Sequence, residues 1–532
     1  MTSTRTDSTY LPQAYDSRAA LLIAEVDRDP WGSVRPSLYE TARVLSFAPR
    51  LSGHERRLAW LLQQQHRDGS WGEGPAPYRL LPTLSAVEAL LSTLRFDTAP
   101  GTGRERLAAA AAAGLARLRR LPPTGPWPDT AAIEILVPSL VAQINEHLDQ
   151  QEIGALPPLG PWSHGSRLTL PNGFRHTLPD QIAQRCRSAG SIPEKLHHTY
   201  EGIARHLSHA DVALPEGLFG SSPAATAAWV AAAPDSVAGR DQAVAELTAV
   251  GRRYDGFFPE AAPISVFERL WVAAALAGPG LPHTCRATVR AWARQIYDPA
   301  GVRGAPGLMP DADDTAMAVL VAALAGEPRD PAPLSVFETG THYDCYVGED
   351  TGSATANAHA LQALGAYLRF QPAAAGVHQP NMNLVRDWLL AQQQPEGAWS
   401  DKWHASPYYA TSRCVAALAR GDDDHPHTRD AVRSAADWVL ETQRDDGLWG
   451  IWDGTVEETA YAVNILLRAA PFIRQPHSTD ALDRAEAALL PAGRTSGHRH
   501  PALWHDKTLY APEAMVQAEV TAALEMLRTR HR

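Results

Sequence analysis

The strongest constraint on the fold is a short pattern that occurs three times along the chain. Each copy has a tryptophan, a glutamine five residues later, a glycine four residues after that, and a second tryptophan two residues further on. A helix end, a glycine turn and an aromatic ring that folds back on the helix explain this spacing, and the glutamine can bond carbonyls left free at the helix end. The copies are Trp60, Gln65, Gly69, Trp71; Trp388, Gln393, Gly397, Trp399; and Trp438, Gln443, Gly447, Trp449.

The segments between these copies predict helices. Stretches rich in Ala and Leu with helical periodicity include 104–118, 266–277, 354–368 and 513–527, and 42 Pro and 38 Gly residues separate such stretches. Repeats that cannot bury their apolar faces alone must stack into a solenoid or close into a toroid. The sequence therefore predicts an all-α protein with two helical toroids, and the cleft between them is a favoured place for a ligand.

Composition excludes several classes of function. The net charge of −11 argues against nucleic-acid binding and against a polybasic membrane contact. The four cysteines have neither metal-ligand nor disulfide spacing, which is typical of a reducing cytosol. No apolar run is long enough to span a membrane, and residues 1–18 are polar rather than signal-like. A cytoplasmic location without a membrane span is therefore expected.

Three carboxylates, Asp311, Asp313 and Asp314, stand directly before an apolar helical run. In one interpretation Asp311 caps the helix, and the other two occupy its first turn, where the helix dipole favours negative charge. In the other interpretation the three form a Brønsted acid, because like charges held close together in a dry cavity retain a proton. Such an acid can protonate an alkene in a water-free pocket. The motif alone leaves both interpretations open.

Five further segments, together with the Asp-x-Asp-Asp motif and the repeats, carry a family resemblance over most of the chain. They are residues 30–42, 196–202, 267–271, 345–348 and 507–510. The chain resembles the bacterial class II diterpene cyclases of the copalyl diphosphate synthase type. This resemblance implies two double α-barrel domains, named β and γ, with the active site in the cleft between them. It implies that residues 1–29 hold the first helix of the β domain, 30–295 an inserted γ domain, and 296–532 the rest of the β domain.

The same resemblance implies a protonation-initiated cyclisation of geranylgeranyl diphosphate to a bicyclic diphosphate of the copalyl or ent-copalyl series. Asp313 matches the general acid of the family, and Asp311 and Asp314 match its supporting residues. The diphosphate group is retained, since the Asp-Asp-x-x-Asp motif of ionising terpene synthases occurs nowhere in the chain. The run Asp422–Asp424 fails that spacing and is predicted to be a solvated loop.

The resemblance also implies residues that bind the diphosphate and a cofactor. Asp129 and Glu134 match an acidic segment linked with Mg²⁺, an ion that takes few carboxylates and prefers phosphate oxygens. Lys507 and Tyr510 fall in a block linked with the substrate. The simpler interpretations are a plain helix start for the two acids and a surface position for the lysine.

Two histidines are candidates for the start and the end of the reaction. His359 and Asn357 lie on one predicted helix, in the segment whose polar residue hydrogen-bonds the acid in the family. His198 matches the histidine of a terminating pair in plant members, and Glu260 stands where those members carry the partner asparagine. The simpler interpretation of a lone helical histidine is a satisfied core residue.

Aromatic faces in the cavity would stabilise a carbocation. The candidates are Trp271, Trp504 and Tyr510, together with Trp403, Tyr408, Tyr409 and Tyr461. Most of the 15 tryptophans are expected to fill the cores instead.

Other functions stay open from the sequence. The same chemistry could give a rearranged clerodane- or halimane-type diphosphate, or act on farnesyl diphosphate or squalene. Outside cyclases, the chain could be a prenyltransferase-like toroid with Zn²⁺, which the scattered cysteines do not support, or a toroid used only as a binding scaffold. For a cyclase, a separate class I diterpene synthase is the expected partner downstream, and a homodimer is left open.

Overall fold

The computed structural model describes residues 12–29, 31–96, 102–122, 124–162, 165–207, 217–419, 425–473, 475–491 and 500–530, and these are mostly helical. The α-helices are α1 (Pro12–Arg28), α2 (Leu38–Phe47), α3 (His54–Gln63), α4 (Leu80–Phe96), α5 (Thr102–Arg119), α6 (Ile133–Leu148), α7 (Gln151–Gly154), α8 (Leu178–Ala189), α9 (Pro223–Ala232), α10 (Arg240–Arg253), α11 (Ser265–Ala277), α12 (Arg286–Ile296), α13 (Ala312–Leu324), α14 (Ala354–Phe370), α15 (Ala375–Ala391), α16 (Pro407–Leu418), α17 (Pro426–Glu441), α18 (Val456–Ala469), α19 (Gln475–Leu489) and α20 (Glu513–Thr529).

One short hairpin accompanies these helices. Strands β1 (Trp504–His505) and β2 (Leu509–Tyr510) pair antiparallel, with Trp504 opposite Tyr510. The predicted run Asp422–Asp424 lies outside the described residues. No helix in the described ranges is both long and apolar enough to cross a membrane.

The helices form the two double α-barrel domains that the sequence predicts. One apolar core joins buried residues of α1 to those of α11 through α20. Two further clusters fill the part of the chain between residues 34 and 264. The first helix thus packs against α11 and α20 rather than against the segment that follows it. The domain boundary at residues 295 and 296 stays a prediction, while packing places α11 and α12 with the C-terminal core.

The three sequence repeats make the same hydrogen bonds. Gln393 donates from Nε2 to the carbonyl of Gly397 (2.8 Å) and to that of Ala431 in α17 (2.9 Å). The Trp399 indole donates to the carbonyl of Leu389 in α15 (2.7 Å). The glutamine therefore closes the end of its own helix and also ties its turn to the second helix that follows in the chain. The other copies use Gln65 with Gly69 and Ala110, and Gln443 with Gly447 and Ala481.

The glycine of each repeat permits a close approach of the same second helix. Gly397 has a φ of +104°, and a Cβ there would lie 2.4 Å from the Ser434 carbonyl oxygen. A Cβ at Gly69 would lie 2.5 Å from the carbonyl oxygen of Ala113. A side chain at either position would push the helix away, so the repeat requires glycine both for its backbone angle and for space.

A threonine near the start of an inner helix completes each repeat, and the helix of the aspartate motif has the same device. The Trp399 N–H donates to Oγ1 of Thr411 in α16 (2.9 Å). At α13 the Val302 N–H donates to Oγ1 of Thr315 (2.9 Å), whose hydroxyl donates to the Asp311 carbonyl (2.6 Å). The three aspartates are therefore built on a rigid helix start of the scaffold and not on a loop.

Candidate active site in the cleft

A cavity of about 450 Å³ lies between the two domains. Its volume falls in the range of roughly 300–1,000 Å³ that is usual for small-molecule sites. The N-terminal part contributes residues from 131–135, 194–199 and 261–264. The C-terminal core contributes residues from 267–271, 304–314, 345–349, 403–409 and 504–510. All three aspartates of the motif line this cavity.

Asp311 is the N-cap of α13, as the capping interpretation expects. Its Oδ1 accepts the N–H of Asp314 (2.7 Å). The N–H groups of Asp311 and Ala312 are also used, by the carbonyls of Val302 (3.1 Å) and Cys345 (2.9 Å). Capping does not exclude the acid interpretation, because the same three side chains are almost completely buried in the cavity wall.

Burial favours the protonated forms of Asp311 and Asp314. Burial, with the adjacent Asp311 and Asp313, raises the pKa of Asp314 well above its ordinary value. Burial also raises the pKa of Asp311 to about 7. A Cβ at position 304 would lie 2.6 Å from Asp314 Oδ2, so Gly304 provides the space that this carboxyl group occupies. Among the ion pairs of the described residues, none joins these carboxylates to Lys or Arg, and the cluster behaves as a stored acid.

His359 sets the orientation of Asp313. Its Nδ1 lies 2.6 Å from Asp313 Oδ1, while its buried Nε2 has no hydrogen-bond partner. A buried, unpaired N–H would be costly, so the neutral ring with its proton on Nδ1 is favoured. Nδ1–H then donates to Oδ1, which leaves Oδ2 of Asp313 to carry the acid proton. Trp271 packs edge-on to the His359 ring at 5.4 Å.

Asn357, predicted alongside His359, is used elsewhere. Its Nδ2 donates to the carbonyls of Tyr343 (2.9 Å) and Ser353 (2.9 Å), and its Oδ1 accepts the Tyr343 N–H (2.8 Å). Positions two residues apart on a helix do not share a face, so only one of Asn357 and His359 can reach the acid. Asn357 holds the 343–345 backbone, whose Cys345 carbonyl accepts the Ala312 N–H.

Aromatic rings line the cavity beside the acid. Trp271 and Phe267 lie with their ring centroids 4.3 Å apart, and Tyr409 lies 4.6 Å from Trp504. The predicted residues on the cavity wall are Trp271, Trp403, Tyr409, Trp504 and Tyr510. Tyr408 and Tyr461 are not among the lining residues: Tyr408 stacks on Trp438, and Tyr461 packs against Tyr409.

Lys507 does not reach the cavity, which contradicts its predicted contact with the diphosphate. It is fully buried, and its ammonium group bonds Glu40 (2.7 Å), Glu201 (2.8 Å) and Ser222 Oγ (2.6 Å). These three acceptors take all three N–H donors of the Lys507 ammonium group. Burial opposes the charge, but Glu201 and Glu40 outweigh it and raise the pKa of Lys507. Lys507 is an ion that holds the two domains together.

His198 lies on the cavity wall with both ring nitrogens engaged. Nδ1 donates to the Gly220 carbonyl (2.7 Å), and Nε2 lies 2.8 Å from Asp506 Oδ1. Burial lowers the pKa of His198, but Asp506 outweighs it and the net shift is upward. The pKa of Asp506 is depressed despite its burial, because His198 and Lys507 stabilise its charge. The pair is an imidazolium with a carboxylate, so His198 has no lone pair to act as the predicted base.

The remaining predicted residues divide between the cavity and its surroundings. Glu134 lines the cavity at the start of α6 but Asp129 does not. Partial burial, and then the nearby charge of Asp129, raise the pKa of Glu134. Glu260 is buried and is not a lining residue; burial and the charges of Asp506 and Glu40 raise its pKa well above the ordinary value. No group of three or more metal-ligating side chains occurs among the described residues.

Several lining residues were not among those predicted from the sequence. Lys195, three positions before His198, is the sole Lys or Arg among the described residues of the cavity wall. Asp506 lies directly before Lys507, and Phe267 and Tyr346 lie inside segments that carried the family resemblance. Lys195 and Asp506 lie directly beside two segments that carried the family resemblance. Their charge was therefore the sequence feature that could have identified them as cavity residues.

Two α-barrel domains, with a proton-retaining carboxylate cluster in an aromatic cleft between them, define a class II terpene cyclase. Residues 345–467 match the squalene-hopene cyclase C-terminal domain. The chain is 66% identical to a copalyl diphosphate synthase of Streptomyces cyslabdanicus, over 97% of this chain and 96% of that protein. It is 58% identical to one of Streptomyces anulatus, over 98% of this chain and 94% of that protein.

A solved structure agrees with these relatives. The ent-copalyl diphosphate synthase of Streptomyces platensis superposes with a TM-score of 0.87 at 41% identity, over 96% of this chain and 99% of that one. The chain belongs to the copalyl diphosphate synthase family of bacterial class II diterpene cyclases, and it is an enzyme. The prenyltransferase-like and scaffold alternatives are thereby excluded.

Proposed function

We propose that this enzyme cyclises geranylgeranyl diphosphate to a bicyclic, copalyl-type diphosphate and retains the diphosphate group. The observation that carries the proposal is the buried, cation-free carboxylate cluster of Asp311, Asp313 and Asp314 in the wall of an aromatic cavity. When a neutral carboxylic acid is held next to an apolar substrate chain, an alkene of that chain is the group that can accept its proton. The names of the relatives supply the substrate and product class.

The first step is proton transfer from Asp313. His359 donates to Oδ1, so Oδ2 delivers the proton to the terminal alkene of the substrate. The alkene π pair forms the new C–H bond, and a tertiary cation remains. Asp311 and Asp314 support this step, because their own retained protons reduce the negative charge that accumulates around the Asp313 carboxylate.

The ring closures follow without further proton transfer. Two internal alkenes attack in turn, each forming one C–C bond and moving the cation along the chain. The indole and phenol rings of Trp271, Tyr409 and Trp504 offer π faces that stabilise the moving charge. Loss of one proton ends the reaction, so the product is an isomer of the substrate. A rearranged diphosphate is the alternative if the cation shifts before that loss.

The diphosphate belongs at the end of the cavity formed by the N-terminal part. Lys195 lies there with Glu134 and Glu194, and the start of α6 contributes Ala131 and Ala132. Lys195 takes the diphosphate role that the sequence assigned to Lys507, since it is exposed to the cavity and the ammonium of Lys507 is not.

Mg²⁺ is the proposed cofactor. The carboxylate of Glu134, with Asp129 nearby, offers hard oxygen ligands in a number too small to hold the ion alone. Such a set fits an ion shared with phosphate oxygens. When bound, the ion would neutralise diphosphate charge beside these two acids, and Lys195 would orient the same group.

The product keeps its diphosphate, so a class I diterpene synthase that ionises it is the proposed partner in the next reaction. A cytoplasmic location and a homodimeric state are proposed on the basis of the sequence alone.

The test is incubation of the purified enzyme with geranylgeranyl diphosphate and Mg²⁺, followed by phosphatase treatment and mass spectrometry of the alcohols. We expect a bicyclic alcohol of the same mass as geranylgeraniol. Farnesyl diphosphate and squalene serve as comparison substrates. Recovery of unchanged geranylgeraniol, with turnover of either comparison substrate, would replace the proposed substrate.

A further inference from the structure

The last step of the proposed reaction needs a base that neither predicted residue supplies. His198 donates from both ring nitrogens, and Glu260 does not line the cavity. A tertiary carbocation is so strong an acid that a carboxylate of depressed pKa accepts its proton readily. The base must be ionised, must lie on the cavity wall, and must not already have another role in the site.

The other carboxylates on the wall fail one of these conditions. The raised pKa values of Asp311 and Asp314 favour their protonated forms. Both residues also adjoin Asp313, so they serve the step that protonates the terminal alkene and not the step after the second ring closure. Glu349 is paired with Lys402 (2.6 Å) and accepts the Cys345 N–H (3.2 Å).

The two glutamates at the mouth also fail. Glu134 is the proposed Mg²⁺ ligand, and Glu194 directly precedes Lys195, the proposed diphosphate contact. Glu194 also lies 3.4 Å from an Arg303 nitrogen.

Asp506 meets the conditions. Its side chain and that of His198 each keep 15% exposure, at the wall of the cavity. Oδ1 accepts from His198, while Oδ2 is buried and has no hydrogen-bond partner. The imidazolium of His198 is anchored on the Gly220 carbonyl, so it fixes the carboxylate and keeps it ionised. Of this pair, only the carboxylate has lone pairs available.

We propose that Asp506 is the base that ends the cyclisation, with His198 as the positioning residue that holds it. This inference rests on the proposed function. The C–H bond next to the final cation breaks, and its electron pair forms the C=C bond of the product. The proton passes to a carboxylate oxygen of Asp506 and then to solvent. No oxidant or co-reactant is needed.

The experiment compares the products of Asp506→Asn and His198→Gln with those of the unchanged enzyme, using geranylgeranyl diphosphate and Mg²⁺. Loss of a positioned base slows a proton transfer by about 10²-fold or more. Water capture and alternative alkene formation then compete, so we expect hydroxylated and isomeric products to rise at least about tenfold in share for Asp506→Asn. His198→Gln keeps the carboxylate, and we expect a smaller change.

Glu201→Gln is the matched control. Glu201 is a buried carboxylate on Lys507 that does not line the cavity, so its loss should lower the melting temperature without altering the product ratio. Product ratios are independent of the folded fraction. If Asp506→Asn is insoluble, the double variant with His198→Gln replaces the ion pair by two neutral amides and answers the same question.

An unchanged product ratio in Asp506→Asn, or a larger change in His198→Gln than in Asp506→Asn, would overturn the assignment of the base. Failure of the unchanged enzyme to cyclise geranylgeranyl diphosphate would instead overturn the proposed function, so the two failures are distinguishable.

Discussion

The protein contains two buried clusters of carboxylates, and they differ in whether a cation lies among the acids. The first joins Asp311, Asp313 and Asp314 and has no lysine or arginine partner among the described residues. The second, here called the lysine cluster, joins Glu40 and Glu201 around Lys507. Burial alone raises the pKa of any carboxyl group. Lys507 opposes this effect at Glu40, although burial still raises the pKa of Glu40 to about 7, whereas no Lys or Arg of the described residues pairs with the three aspartates.

The two clusters also differ in how they are assembled. The aspartates lie on one helix turn, whose start is fixed by the Thr315 bonds of the repeated scaffold. The lysine cluster brings together residues from distant segments, with Glu40 in α2 and Lys507 in the β1–β2 hairpin. A local cluster keeps its geometry through the helix, whereas a dispersed one fixes how the domains meet.

The largest effect is expected from a substitution in the cluster of Asp311, Asp313 and Asp314. Asp313→Asn keeps the shape of the side chain but cannot deliver an acidic proton, so we expect cyclisation to fall by about 10³-fold or more. Asp311→Asn and Asp314→Asn should be intermediate, because those groups support the acid. Initial rates with geranylgeranyl diphosphate measure the effect, and circular dichroism with a melting curve checks the fold. A folded Asp313→Asn protein with a near-normal rate would be incompatible with the mechanism.

The second prediction concerns a substitution that removes the cation of the lysine cluster. Lys507→Met leaves Glu40 and Glu201 buried without their cation, and we expect the free energy of unfolding to fall by about 3–5 kcal/mol. Urea denaturation measures this change. The double variant Lys507→Met with Glu40→Gln should recover part of the loss. A variant of normal stability with a raised KM would restore Lys507 as a substrate contact.

A third prediction concerns the cation that remains in the cavity. Lys195→Gln removes one charged contact to the diphosphate, worth about 1.5–3 kcal/mol, so KM should rise roughly 10- to 100-fold with stability unchanged. Inorganic pyrophosphate should inhibit the variant correspondingly less. Arg205→Gln, a charge loss in the same part of the chain, is the control because Arg205 pairs with Glu146 outside the cavity. Equal KM values in both variants would remove Lys195 from the site.

The smallest effect is expected at the proposed Mg²⁺ ligands. Glu134→Ala should raise KM or lower the rate more than Asp129→Ala, because only Glu134 lines the cavity. Chelation of Mg²⁺ should reduce the activity of the unchanged enzyme more than that of Glu134→Ala. Activity that is indifferent to the chelator and to both substitutions would argue against the metal.

Local sequence patterns predicted the structures that form between residues close together in the chain. The repeats and the aspartate turn each lie within a dozen residues, so their spacing predicted helices and turns, while the family resemblance supplied the assignment of Asp313 as the acid. Helix geometry alone could have separated His359 from Asn357, since the two cannot face the same way. Lys507 was placed wrongly because its acceptors come from α2 and from residue 201, far away in the chain. The ionised state of His198 likewise depends on Asp506, a partner 308 positions away.

The packing of α1 against α20 sets an order for folding during synthesis. Helix α1 leaves the ribosome long before α20 exists, and until then its apolar face, with Ala19, Leu22 and Ile23, lacks one of its two helical partners. The segment from residue 34 to 264 has its own cores and can collapse first. The domain that carries the three aspartates is therefore completed last. On a ribosome stalled before α20, we expect residues 34–264 to be folded and the C-terminal domain to be incomplete.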